Sequence, residues 1–342
     1  MRGRSTLLSL LALLALAPSC VRQPAVEDPD AGPIDDGGGI DANVGTGSVR
    51  IVVEPSDDAA GLLAAIAGAQ TSVHLTVYLL TDQGTIDALI ARHQAGVEVQ
   101  VLLNRTFPTG GTSNDSAYAA LRAGGVDARW APSTFSLTHE KCVIIDHREA
   151  WIMTMNMTPT SYSSNREFLA VDTIPAHVAD AEAIFAGDFA GTPISTYAGE
   201  LIVSPLNAVT SMHNLIQSAT STIDIEAETL SDSNVVSALV GAVGRGVTVR
   251  VVLAQDSSPT TAQMSAITNL KMAGVSIHEV SSPYIHSKAL VVDGVRAYVG
   301  SENFTYQSLN QNRELGLIVT DAASVQTIAS TIAADYASGR AL

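Results

Sequence analysis

At 342 residues, with 46% hydrophobic and 15% charged side chains, the chain has the balance of a well-cored globular protein and is neither disordered nor fibrous. The formal net charge is −16, and setting aside the six acids and three arginines of residues 1–48 still leaves 28 acids against 15 bases. A surface of that sign repels polyanions at long range, which disfavours a protein that coats DNA and leaves room only for a small basic pocket.

Residues 1–20 place Arg2 and Arg4 before an apolar run from Leu7 to Ala17 and end "APSC" at Cys20. That run is too short to span a bilayer and reads as an export signal. A small residue directly before the cysteine resembles the lipobox of bacterial lipoproteins, which implies a lipidated Cys20 and a membrane-anchored protein of the cell envelope. Plain secretion is the alternative. Residues 21–48 are rich in Pro, Gly and Asp and almost free of large apolar groups. Such a segment cannot offset its ordering entropy, so it is expected to be a flexible acidic tether. With Cys20 lipidated, Cys142 has no partner for an intrachain disulfide, and its apolar surroundings mark it as a small core residue.

From residue 49 onward, β-like and helix-like patterns alternate. A β run at 69–80 ("AQTSVHLTVYLL"), a helical pattern at 85–95 and a β run at 96–103 ("GVEVQVLL") come first. Further along, "ATSTIDIEAETL" (219–230), a helical pattern at 234–245 and "GVTVRVVL" (246–253) repeat the order, with the β runs displaced by 150 residues. Short β runs separated by helices imply βαβ units and therefore an α/β fold. The expected organisation is a first lobe over 49–198 and a homologous second lobe over 199–342.

Each half also carries a polar constellation. His139 is followed by Lys141, Asp146, Thr154, Asn156, Asn165 and Glu167; His286 is followed at identical spacings by Lys288, Asp293, Ser301, Asn303, Asn312 and Glu314. The chain has eight histidines and three lysines, which at random would give roughly 0.07 His-x-Lys matches, so two concordant copies are no accident. On a strand, residues i and i+2 share a face, so each His and Lys project together. Asp293-Gly294 suits a hairpin turn. A turn at 294–295 would set Lys288 against Ser301 and His286 against Asn303, and correspondingly Lys141 against Thr154 and His139 against Asn156. Arg166 and Arg313 recur beside the glutamates, with an interlobe or surface salt bridge and a substrate contact as alternatives. The other histidines, His74 and His147 among them, share no repeat position and default to core or surface roles.

"HSKALVVD" with "GSEN" in the second half and "HEKCVIID" in the first resemble the HxKxxxxD and GSxN signature of the phospholipase D superfamily, over about 290 residues. Met153 and Thr154 replace the usual Gly and Ser, with Thr154 keeping the hydroxyl. The resemblance implies a pseudo-twofold α-β-α-β-α sandwich with both motifs at one central site. It implies a phosphohistidine mechanism in which His139 is the nucleophile and His286 the acid. Glu167 and Glu314 would orient the histidines. Lys141, Lys288, Asn156 and Asn303 would bind the non-bridging oxygens, assisted by the hydroxyls of Thr154 and Ser301. Asp146 and Asp293, the motif carboxylates, read as structural groups at turns. No metal or other cofactor is called for, and no obligate protein partner is evident. The leading substrate is a glycerophospholipid such as phosphatidylcholine; a metal-independent exported nuclease and a non-catalytic phosphate-binding module are the alternatives. Loops 104–118, 129–137 and 254–263 are expected to rim the pocket.

Overall fold

The computed structural model describes residues 47–108 and 113–342. The export segment, Cys20 and nearly all of the 21–48 tether lie outside the described residues. The first half runs β1 (Val49–Glu54), α1 (Ala60–Gly68), β2 (Ser72–Val77), α2 (Gln83–Gln94), β3 (Glu98–Leu103), α3 (Asp115–Ala123) and β4 (Asp127–Trp130). It continues through β5 (Lys141–Ile145), β6 (Glu149–Met153), α4 (Pro159–Ser163), β7 (Asn165–Asp172) and α5 (Pro175–Phe189). The second half opens with β8 (Ile202–Ser204), α6 (Ala208–Gln217), β9 (Thr222–Ala227), α7 (Ser233–Gly244), β10 (Thr248–Ala254), α8 (Thr261–Ala273) and β11 (Ser276–Val280). It closes with β12 (Tyr284–Ile285), β13 (Lys288–Val292), β14 (Arg296–Gly300), α9 (Tyr306–Asn310), β15 (Glu314–Val319), α10 (Ala322–Ser338) and β16 (Arg340–Ala341). Among the described residues no helix is long and apolar enough to cross a membrane.

Two sheets result, in the orders β1-β7-β6-β5-β2-β3-β4 and β16-β11-β10-β9-β13-β14-β15-β8. Their central strands are apolar on both faces because both faces are covered. Along β5, Cys142 and Ile144 enter the core between the sheets, whereas Val143 and Ile145 enter the core under α1, α2 and α3. Along β13, Ala289 and Val291 face the same central core and Leu290 and Val292 the outer one under α6, α7 and α8. The central core also takes Ala181, Ile184 and Phe185 of α5 and Val325, Ile328 and Ile332 of α10. The molecule is thus an α-β-α-β-α sandwich of two similar halves. Helices α2 and α7 start at matching caps, Asp82 and Asp232, whose carboxylates accept backbone N–H groups of the first turn.

The motif hairpins depart from the expected register by one residue. Cys142 pairs with Ile152 and Ala289 with Val299, which sets Lys141 level with Met153 and Lys288 level with Gly300. The turn has three residues instead of two, and a slip of one residue exchanges the faces of every opposite side chain. Its cause is the motif aspartate. Asp146 and Asp293 both take left-handed backbone (φ 53°), as do His147 and Gly294 after them. Asp146 accepts from the backbone of Gln70, Thr71 and Ser72 at the start of β2, and Asp293 accepts from Thr220, Ser221 and Thr222 at the start of β9.

Those N–H groups outweigh the upward push of burial and hold Asp293 down to about 2, with Asp146 also lowered. A carboxylate lowered in the folded state stabilises above its unfolded pKa and loses that contribution as pH falls through the folded value. Asp146→Ala and Asp293→Ala are expected to cost about 1 kcal/mol each at pH 7, and less as pH falls from 4 toward 2, in urea unfolding. Turnover per folded molecule should hold.

Candidate active site

Each motif histidine is delivered by a segment that pairs with the opposite half. β12 lies parallel to β7, with Tyr284 opposite Asn165 and Ile285 opposite Arg166, and the His286 N–H donates to the Arg166 carbonyl. In mirror fashion Thr138 bridges to Arg313, and the His139 N–H donates to the Arg313 carbonyl at 2.9 Å. Each histidine therefore lands beside the glutamate of the other half. His139 Nδ1 lies 2.8 Å from Glu314 Oε2, and His286 Nδ1 lies 2.7 Å from Glu167 Oε1, the second contact short but poorly aligned. The glutamate that follows each histidine in its own copy serves its counterpart.

The same crossing fixes the two repeated arginines. Arg313 is fully buried and makes a two-pronged pair with Asp188 of α5, while Arg166 pairs in the same way with Asp335 of α10. These are interlobe bridges, so neither guanidinium is free for substrate. Asn312 and Ser308 donate to Glu314, and Asn165 donates to Glu167. Both carboxylates sit below their ordinary value; burial pushes them up, but the facing histidine and lysine charges prevail.

Lys141 and Lys288 are fully buried, and each ammonium donates to the carbonyl of its own motif histidine. Burial, reinforced by Lys288, brings Lys141 down to about 7 against the pull of Glu314. Burial also lowers His139, opposed by Glu314. Asn156 and Asn303 each keep a buried amide oxygen without a hydrogen-bond partner, so their carboxamides are uncommitted. Thr154 and Ser301 are different. The Thr154 hydroxyl donates to Glu167 at 2.5 Å and accepts from Phe168 N, and the Ser301 hydroxyl accepts from Leu315 N. Both are buried and turned to the neighbouring strand, where they hold that strand and, for Thr154, Glu167.

Two residues of this site were not anticipated. The Tyr78 ring meets the His139 ring edge-on at 4.5 Å and lies 5.3 Å from Lys141 Nζ. At the equivalent position 150 residues on, Glu228 Oε2 lies 3.0 Å from Lys288 Nζ and 3.6 Å from His286 Nε2. Burial pushes Glu228 up, yet Lys288 and His286 hold it far below its ordinary value. The repeat alignment contained the signal, since one copy reads "VYLL" where the other reads "AETL". A cavity of about 420 Å³ is lined by Asn104, Arg105, Trp130, Phe135 and Thr138 among others, Thr138 being the residue before His139. Loops 104–118 and 129–137 thus contribute to its wall; 254–263 does not. Neither this cavity nor the larger ones elsewhere is lined by a motif histidine or a motif lysine.

The family model described as "Cardiolipin synthase, PLD-like domain" matches residues 62–189 and 212–336, one stretch in each half. The chain belongs to the phospholipase D superfamily. It is 22% identical over 330 residues to a probable cardiolipin synthase, YwiE, of Bacillus subtilis, an alignment that takes in 84% of this chain and 65% of that protein. It is 43% identical over 83 residues to a mitochondrial cardiolipin hydrolase of Xenopus tropicalis, covering 24% of this chain and 39% of the relative. The chain thus spans less than two thirds of the length of these relatives. The crystal structure of phosphatidylserine synthase from Haemophilus influenzae superposes with a TM-score of 0.66 at 11% identity, covering 86% of this chain and 87% of the other, which establishes a shared fold.

An anion placed among these groups restores the proton that burial costs Lys141. Binding of inorganic phosphate or tungstate should therefore take up a proton at pH 8 beyond the ligand's own ionisation, and Lys141 should contribute less to the uptake at pH 6. Titration calorimetry in buffers of different ionisation enthalpy reads this, and Lys141→Met should remove most of the uptake at pH 8.

Proposed function

We propose that the protein cleaves phosphodiesters in the manner of a phospholipase D, converting a glycerophospholipid such as phosphatidylcholine to phosphatidic acid and the free headgroup alcohol. The observation that carries this reading is the pair of imidazoles whose Nδ1 atoms face buried carboxylates. That leaves Nε2 of each ring for chemistry, with a buried lysine beside it.

The reaction proceeds in two displacements. His139 Nε2 attacks phosphorus, the P–O bond to the headgroup breaks, and His286 Nε2–H supplies the proton to the departing oxygen. Water then attacks the phosphohistidine as His286 takes back a proton, and the P–N bond breaks. Asymmetry in the site supports this division. A proton on His286 is met by two carboxylates, Glu167 and Glu228, whereas His139 meets one carboxylate and the ring of Tyr78. Burial also favours the neutral, nucleophilic form of His139. A lipid substrate is supported by the sequence relatives, a probable cardiolipin synthase and a mitochondrial cardiolipin hydrolase. It is supported as well by the acidic balance of the chain, which disfavours a polyanion. Anchoring through Cys20 at the membrane of the cell envelope belongs to the same proposal.

Purified protein with a chelator present should release choline from phosphatidylcholine micelles and leave plasmid DNA intact. His286→Asn should lower choline release by at least a hundredfold. Nicking without choline release would instead favour the nuclease, and a phosphatidyl-alcohol formed from added glycerol would mark transfer in place of hydrolysis.

The two histidine roles separate on an activated diester whose leaving group needs no acid. With a p-nitrophenyl phosphodiester, His286→Asn should give a burst of about one equivalent of p-nitrophenolate per site, and His139→Asn none. The reverse pattern would exchange the assignments.

A further inference from the structure

Away from the active site, the first half gathers two histidines and a glutamate from three separate elements. His74 of β2 faces Glu182 Oε2 of α5 through Nδ1 at 2.7 Å, and His147 of the β5–β6 turn faces Glu182 Oε1 through Nδ1 at the same distance. The donor atoms all lie within 4.8 Å of one another. We propose that His74, His147 and Glu182 form a divalent-metal site suited to zinc, which fastens α5 to the first sheet.

Four observations carry this. The His74 ring is buried and stacked on Phe185 with centroids 4.8 Å apart and planes 3° from parallel, so its Nδ1 is aimed before any ligand arrives. Its other nitrogen is buried without a hydrogen-bond partner. While Nδ1–H is donated to Glu182, that Nε2 is a bare acceptor in the interior, an unfavourable state. A metal on Nδ1 moves the proton to Nε2, where the Glu98 carboxylate stands 3.8 Å away, the outer arrangement that metal-bound imidazoles commonly show. Finally, the second repeat closes the matching position with an ordinary ion pair. Asp224 replaces His74 and binds Arg250 with two hydrogen bonds, and Gly294 and Ala329 occupy the places of His147 and Glu182. The fold itself therefore does not require the cluster.

Two imidazoles and one carboxylate match zinc and not magnesium or calcium, which take oxygen donors, and they leave a fourth position for water. Tetrahedral zinc sets its donors roughly 3.3 Å apart. His147 can close that gap, because its side chain is 56% exposed on a turn. The absence of a metal from the expected reaction is unaffected, since this cluster shares no residue with the motif histidines. Its effect falls on α5, which also carries Asp188, the partner of Arg313.

The test uses the full chain, stripped with chelator and titrated with zinc chloride by calorimetry and by competition against a chromophoric chelator. One equivalent should bind, and thermal unfolding should shift upward by several degrees. His147→Ala and Glu182→Gln should each weaken that equivalent at least tenfold, with the zinc-induced shift read against each variant's own metal-free unfolding temperature. A His139→Asn/His286→Asn double variant should keep it. Unaltered zinc binding in His147→Ala and Glu182→Gln, loss of the equivalent in the double variant, or no binding below 100 µM zinc would overturn the assignment.

Discussion

The structure depends on burying two carboxylates, Glu167 and Glu314, whose neutralising groups arrive from the opposite half. Each glutamate is fully buried and each faces a histidine from the other copy. A buried charge left without its partner costs about 3–5 kcal/mol, so neither half can be complete alone. The two Arg–Asp bridges impose the same condition. Arg166 of β7 with Asp335, and Arg313 just ahead of β15 with Asp188, each join one half to a central helix of the other. The charges that prepare the site are therefore also those that fix how the halves meet.

Symmetry in the frame makes the departures from it informative. The Asp146 and Asp293 turns, the α2 and α7 caps and the arginine bridges are matched between copies. Inside the site, Tyr78 and Glu228 break the match. A site with two equivalent histidines has no reason to send the nucleophile's task to one and the acid's to the other. An additional carboxylate beside His286 and an aromatic ring beside His139 make the two sides of the site unequal. Away from the site, the second departure from symmetry places His74, His147 and Glu182 where the other copy has an arginine–aspartate pair. Duplication supplied a common frame, and the differences between the copies lie in charged and aromatic side chains set into it.

Much of this was legible beforehand. The layered α/β fold followed from β runs and helical patterns in duplicate, and the histidine and lysine pairs from spacings that match throughout. The hairpin register was not legible. An Asp-Gly pair suggests a two-residue turn, but the aspartate carboxylate is drawn to N–H groups some 70 positions away in the chain, and that long-range demand adds a residue to the turn. The partner of Thr154 was not legible for a related reason: its place in the motif suggested phosphate, while its neighbour across the sheet is Glu167.

Sequence by itself determined that there are two copies and which polar side chains each contributes, because strand periodicity and fixed spacing are local properties that survive without coordinates. The tertiary structure decided which carboxylate serves which histidine. It also decided that Tyr78 and Glu228 belong to the site and that His74, His147 and Glu182 converge. Those outcomes depend on β12 pairing with β7 and on the packing of α5 against the first sheet, contacts between residues far apart in the chain that no local pattern records.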